Sequence, residues 1–302
     1  MAGSWESNIN SSAVKLQNGL MRLTAPNPSP MTSTGTNTYI LGRKELLIID
    51  PGPNSEEHLR KIIQIIPNNA KVTHILITHS HLDHSGLATR LSKILNAPTF
   101  AFGTALDGRS NDMKNLCKMG LVSENFGLDT DFSPDYFLKD NEKICSHEWE
   151  IVAHHTPGHL CNHICYQYLE NLFTGDHIMQ WSTSVISPPE GDISQFINSC
   201  EKIYDLHCKK FYPGHGLPVE NPSARIIELV EHRKKREFEI INFLKKSNGT
   251  VSQITRNIYL DIDQSLLGAA SRNVKAHLVD LIIKKQVTVD DISSETALYS
   301  LR

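Results

Sequence analysis

A layered α/β fold is what this 302-residue sequence predicts. Three observations carry it. Short apolar runs alternate with amphipathic ones through the first two thirds of the chain. The runs end abruptly at turns rich in Gly, Pro or Asp. From Pro222 onward the character changes to long helical patterns. Strand, helix, strand, helix, strand in that order reads as helices packed on a sheet.

The elements follow from the amino end. "TNTYILG" and "KELLIID", meeting at "RK", are rich in β-branched residues and read as paired strands, the second ending at "DPGP". "SEEHLRKIIQII" is an amphipathic helix opened by Ser55 and stopped by Pro67. "KVTHILIT" is a buried-type strand, "LATRLSKIL" has helical apolar spacing with a start near Ser85, and "PTFAF" is the next strand. Residues 103–140 are less regular and read as an insertion that could lie over a site. "WEIVAHHT", "HICYQYL" and "NLFTGD" are strands, "DISQFINSCEKIYDL" a helix, and "KKFYPGHG" a strand running into a Gly-rich turn. The expected division is a catalytic unit over 1–221 and a small helical unit over 222–302. The last helices of the second unit, followed by "VTVDD", resemble a winged helix.

Composition narrows the function classes. A net charge of -3 argues against an overall basic surface for nucleic acid. No apolar run approaches the ~20 residues of a membrane helix. The polar opening "MAGSWESNINSSAVKLQNG" lacks a signal-peptide core, so the chain is expected to be cytoplasmic, with no membrane partner. The six cysteines have no framework spacing and read as free thiols. Fifteen histidines are many for this size, which directs attention to metal or proton chemistry. No Walker-type or dinucleotide fingerprint occurs, and "GTNTY" offers no Ser/His triad.

The histidines concentrate in "ITHSHLDHSG", which follows a buried strand. Sites in open α/β sheets form at such edges. His79 and His81, two apart, can point to one side of an extended segment, and Asp83 and His84 lie just beyond, where the chain turns. Three further donors occupy equivalent strand ends beside glycine: His159 after "HTPG", Asp176 closing "NLFTGD", and His215 in "YPGHG". Zinc commonly needs three or more such ligands and, in catalytic sites, leaves a position for water.

These motifs, in this order over roughly Thr34 to Leu217, resemble the metallo-β-lactamase superfamily. "GTNTYILG", "WSTSVISPPEGD" and "YPGHG" followed by "EHRKKRE" are similar to its β-lactamase-like protein 2 branch. That branch contains many bacterial hydrolases of unassigned substrate and a mitochondrial single-strand endoribonuclease. The resemblance implies an αββα sandwich with two divalent ions at one edge. His79, His81 and His159 would hold the first; Asp83, His84 and His215 the second; Asp176 would bridge. Asp50 would stand behind the ligands and orient the His loop by hydrogen bonds. Zinc suits the nitrogen and oxygen donors, as do iron and manganese.

The implied reaction is hydrolysis by a metal-activated water, with Asp83 among the residues that catalysis requires. A small ester or thioester, of the kind handled by hydroxyacylglutathione-hydrolase-like enzymes, is the leading substrate. Single-stranded RNA is the alternative, and a non-hydrolytic metal or redox role the third reading. His163, four beyond His159, is expected either to point toward the active-site edge as a hydrogen-bonding or proton-donating group or to be purely structural. Trp181 and Ser182 to Ser184 are candidates to touch substrate. His232 and Arg233 could touch an anionic substrate, but are expected rather to tie the tail to the core. Nothing in the sequence sets an oligomeric state.

Overall fold

A computed structural model describes residues 13–302. The polar opening read above for targeting falls largely in residues 1–12, and that part of the reading lies outside the described residues.

A seven-stranded sheet runs in sequence order: β1 (Ala13–Gln17), β2 (Leu20–Thr24), β3 (Asn37–Leu41), β4 (Glu45–Ile49), β5 (Lys71–Leu76), β6 (Thr99–Ala101) and β7 (Tyr136–Phe137). β1 to β4 pair antiparallel; β4 to β7 pair parallel. The parallel part is joined by helices: α1 (Glu56–Ile65), then α2 (Leu82–Ser85) and α3 (Ala88–Leu95), then α4 (Asn111–Lys118). A second, five-stranded sheet holds β8 (Glu142–Cys145), β9 (Glu150–His155), β10 (Ile164–Tyr168), β11 (Asn171–Gly175) and β12 (Lys210–Pro213). Its strands are antiparallel except β11 with β12, whose crossover is α5 (Ile193–Asp205).

Side-chain alternation assembles the layers. Leu46 and Ile48 of β4 face outward onto α1 and α3, with Leu59, Ile62 and Leu91. Leu47 and Ile49, one residue out of phase, face the second sheet and pack with Ile151, Ile164 and Phe173. The outer side of that sheet presents Cys165, Leu172 and Phe211 to Phe196 and Ile203 of α5. The result is helix, sheet, sheet, helix, as the resemblance implies.

The tail contains α6 (Pro222–Leu244), α7 (Val251–Ile258), α8 (Leu267–Ile283) and a hairpin of β13 (Val287–Val289) with β14 (Tyr299–Leu301). Asn221 caps α6 with Pro222 in its first turn, and Thr250 with Gln253 forms a capping box on α7. Ile226, Leu229 and Ala276 join the layer over α5, so the tail is built onto the two-sheet unit. Among the described residues no helix is long and apolar enough to cross a membrane.

Three local expectations change. β1 and β2 were not marked as strands in the sequence; β1 is largely half-exposed, which blurs its alternation. The helix expected to start near Ser85 is two helices, so Asp83 and His84 sit on a helical turn, not in a loop. The irregular stretch 103–140 contains α4, whose helical period was hidden because it buries only Met113 and Leu116.

Candidate metal centre

The carboxyl ends of β4, β5, β9, β11 and β12 meet at one edge of the two sheets, and each delivers polar side chains there. β5 leads into His79 and His81, and α2 then turns Asp83 and His84 toward the same point. His159 follows β9, Asp176 follows β11, and His215 follows β12. Two glycines make the approach close enough. A Cβ on Gly214 would fall 2.5 Å from Asp176 Oδ1 and 2.6 Å from His84 Cε1. Gly175 adopts φ +47°, and a Cβ there would press on Thr78 and His163.

All seven expected donors converge. His79, His81, His159 and Asp176 form one group; Asp83, His84 and His215 form another; within each group one ligand atom per residue lies within 4.8 Å of the rest. His81 Nδ1 is 3.0 Å from His79 Nε2 and 3.1 Å from His159 Nε2. His215 Nε2 is 3.3 Å from His84 Nε2, from Asp83 Oδ2 and from Asp176 Oδ2. Asp176 therefore touches both groups: its Oδ2 also lies 3.8 Å from His159 Nε2 and 4.0 Å from His79 Nε2.

The donor set fits divalent cations on its own chemistry. The outer ring nitrogens have oxygen partners: His79 Nδ1 with Thr78 Oγ1 at 3.0 Å, His84 Nδ1 with Asp50 Oδ2 at 2.8 Å, His159 Nδ1 with Val185 O at 2.6 Å, and His215 Nδ1 with Gly35 O at 3.2 Å. Donation to these oxygens leaves the inner nitrogen lone pairs facing one another, an arrangement that calls for a shared cation. Asp176 Oδ1 is buried without a hydrogen-bond partner, 3.4 Å from His84 Nε2.

Electrostatics divide the two groups. Burial, and next the neighbouring imidazoles, push His79 well below the usual histidine range and His81 down to about 3. His159 is lowered by burial as well. For His84 and His215 burial acts in the same direction but is outweighed by Asp176 and Asp83, which lift His84 well above its ordinary value and His215 to about 9. The matching carboxyls of Asp83 and Asp176 resist their own burial because these two imidazoles hold them low. Without metal, therefore, protons on the second group balance its carboxylates.

Asp50 stands behind both groups. Besides His84 Nδ1, it accepts from Thr78 N and Thr78 Oγ1, each at 2.7 Å, and that hydroxyl faces His79 Nδ1. His163 stands behind the donors, between His79 and Thr156. It is fully buried, its ring stacks on His79 at 5.2 Å, and its Nδ1 meets Thr156 Oγ1 at 2.9 Å. It lies in the turn just before β10, which begins at Ile164. Burial holds His163 well below its ordinary value, and it lines neither cavity at the centre. His155, stacked on Phe102, and His177, packed on Phe196, are structural.

Further side chains and backbone groups brace the centre. Thr36 donates to Asp83 Oδ2 at 3.1 Å, so the "GTNTY" stretch braces a ligand. Ser184, expected near substrate, turns inward and donates to the Asp176 and His177 carbonyls. Arg233 is buried and holds Ser184 O and Asn273 Oδ1, tying α6 and α8 to the loop after Asp176. Residues 127–129 of the insertion pair with the His loop, Leu82 N donating to Gly127 O and Asp129 N to Ser80 O, both at 2.8 Å.

Among the described residues, two cavities open at the centre. The larger, about 280 Å³, exposes His81, Asp83, His159, Asp176 and His215, and the insertion supplies part of its wall through Phe126 and Leu128. The smaller, about 150 Å³, reaches His159 and Asp176 from the side of the tail. Among the described residues, no lysine or arginine lines either.

Comparison with known proteins follows the same division. A family model described as "Metallo-beta-lactamase superfamily" matches residues 31–215, and one described as "Beta-lactamase associated winged helix domain" matches 250–293. "Beta-lactamase-like protein 2 homolog" of Drosophila melanogaster is 29% identical over 295 residues, covering 93% of this chain and 94% of its own. "Atrochrysone carboxyl ACP thioesterase" of Aspergillus fumigatus is 26% identical over 226 residues, 74% of this chain and 64% of its own. The crystal structure of a metallo-beta-lactamase family protein from Thermus thermophilus superposes with a TM-score of 0.76 at 20% identity, over 95% of this chain and 100% of that one.

Proposed function

Since the chain belongs to the metallo-beta-lactamase superfamily, we propose that it is a dinuclear metallohydrolase, most simply a zinc enzyme, acting on an ester or thioester. One observation favours that bond over a phosphodiester: among the described residues, the walls of both cavities beside the centre carry no Lys or Arg, and their charged members beyond the histidines are Asp83, Asp176 and Glu190. A polynucleotide would bring flanking phosphates on both sides of the cut, which proteins meet with basic side chains. A neutral acyl compound needs none. The thioesterase name of the Aspergillus fumigatus relative supports the same reading.

In this reading His79, His81 and His159 hold one ion, Asp83, His84 and His215 the other, and Asp176 both. Two bound divalent ions would supply a hydroxide near neutral pH and draw charge from the carbonyl under attack. The chain's own part is placement. Asp50, Thr78, Val185 and Gly35 fix the imidazole rings from behind, so little reorganisation remains at the moment of reaction. Met31, Leu128, Leu160 and Val185 give the larger cavity an apolar wall that keeps bulk water from the substrate.

The test is metal analysis of the purified protein followed by a panel of esters, thioesters and labelled single-stranded RNA, each with and without EDTA. Ester or thioester turnover should vanish with EDTA and return with zinc. Asp83→Ala should cost about 4 kcal/mol in the transition state, roughly a thousandfold in kcat/KM. RNA cleavage lost in Asp83→Ala, with no ester or thioester turned over, would refute the reading.

A further inference from the structure

Among the described residues, the carboxylates lining the two cavities are Asp83, Asp176 and Glu190. The first two belong to the donor set; the metal chemistry leaves Glu190 unused. Glu190 is 5% exposed and lies on the wall of the larger cavity. It sits in a tight turn closed by Gly191 N, which donates to Ser187 O at 2.7 Å. Asp192 N donates to Gly158 O at 2.9 Å, so the turn is fastened to the backbone beside His159.

A cation holds this carboxylate from behind. Arg109, carried by the insertion, donates through Nη2 to Glu190 Oε1, and it lines neither cavity itself. The other oxygen, Oε2, has no hydrogen-bond or ion-pair partner among the described residues. A buried ion pair returns little net stability, because burial costs about what pairing gains. An oxygen left open adds to that cost unless a ligand meets it.

The surroundings single this oxygen out. Met31, Phe126, Leu128, Leu160 and Val185 give the cavity hydrocarbon walls. Of its neutral polar groups, Ser29 is bonded to Thr32 at 2.9 Å and Ser123 to Asn125 at 3.1 Å. A substrate that displaces water from such walls must supply the carboxylate's hydrogen bond itself, or leave it unmade. The same cavity exposes five donors of the centre, His81, Asp83, His159, Asp176 and His215, so a group held against Glu190 belongs to the molecule under attack.

We infer that Glu190 is a specificity residue, accepting a hydrogen bond from an O–H or N–H on the part of the substrate that fills the larger cavity. The donor is a neutral one, a hydroxyl or an amide, because Arg109 already balances the carboxylate's charge. This rests on the metallohydrolase reading above and narrows its substrate class.

Binding separates this inference from the reaction. Thiols coordinate zinc and so anchor a probe at the centre. Mercaptoalkanols from mercaptoethanol to mercaptopentanol, and their methyl ethers, are titrated into the zinc-loaded protein by calorimetry. At the chain length that spans from metal to Glu190, the alcohol should bind tighter than its ether by about tenfold or more. In Glu190→Gln the amide oxygen takes Arg109 and the amide N–H turns to the cavity. The alcohol's advantage should then fall below about twofold. Ethanethiol, which has no arm, should bind both proteins equally and so reports an intact centre; a merely structural role for Glu190 would weaken every thiol together. Alcohol and ether binding alike at every length in the unsubstituted protein would overturn the inference. So would an advantage that survives in folded Glu190→Gln, or an equal loss of all thiols there. Ethanethiol failing to bind the unsubstituted protein would overturn the metal centre and this inference with it. An advantage that follows Glu190, with no ester or thioester turned over, would overturn the hydrolase reading alone.

Discussion

Asp50 touches both halves of the donor set, directly at His84 and through the Thr78 hydroxyl at His79. It does so from a left-handed backbone conformation, φ +50°, which asparagine also tolerates. Asp50→Asn thus removes charge with little backbone cost. It should weaken metal binding by about tenfold to a hundredfold, read by competition with a chelating dye. The second group makes a pH prediction for the metal-free protein. His215 rises from 6.5 to about 9 on folding, because Asp176 and Asp83 outweigh its burial. A raised pKa stabilises fully below the unfolded value and fades as pH climbs through the folded one. The denaturant midpoint of the metal-free protein should therefore fall as pH rises from 6.5 toward 9 and beyond, and zinc should remove the trend. Metal uptake near pH 7 should release protons from His84 and His215, measurable by calorimetry in buffers of different ionisation enthalpy.

The insertion becomes a wall because α8 clasps it. Arg272 pairs with Glu124 at 2.9 Å and lies over the Phe126 ring at 4.0 Å, while Lys275 reaches Glu124 at 3.3 Å. Exposed pairs of this kind add little to stability, about 0–1 kcal/mol, but they hold Ser123 to Leu128 at the cavity. Arg272→Ala should raise KM several-fold with kcat nearly kept, and move the melting temperature by less than about 4 °C. A large stability loss, or a fall in kcat alone, would contradict this placement. Among the elements, those with caps and clean alternation were legible in the sequence: α1 with Ser55, α5 opened by Asp192, and the two-sided strands β4 and β5. α4 and β1 were not, since their contacts come from distant segments and leave weak local periods.

The two units share a core as well as a site. Ile226, Leu229 and Ala276 of the tail pack with Phe196, Phe211 and Leu172 of the catalytic unit, and Met113 and Leu116 of the insertion pack on Val279 of α8. Arg233, buried between them, donates to Ser184 O and Asn273 Oδ1. A chain ending at Asn221 would expose this apolar face. It should be recovered mainly as aggregate or with weakened near-UV dichroism, even though every metal donor is retained. A soluble, sharply melting 1–221 fragment would show that the tail is dispensable to the fold.

The sequence by itself determined which side chains form the centre and that they belong together. The donors here are histidines and carboxylates at turns, and each turn carries its own mark: "THSHLDH", "HTPGH", "FTGDH", "YPGHG". Asp50 was legible for the same reason, as an acid closing a strand. Only the tertiary structure decided what surrounds them. Thr78 and Thr36 act through single hydroxyls, and Val185 and Gly35 through carbonyls that every residue possesses. Ligand identity is a matter of local chemistry, whereas substrate shape is set by surfaces far apart in the chain that meet only on folding.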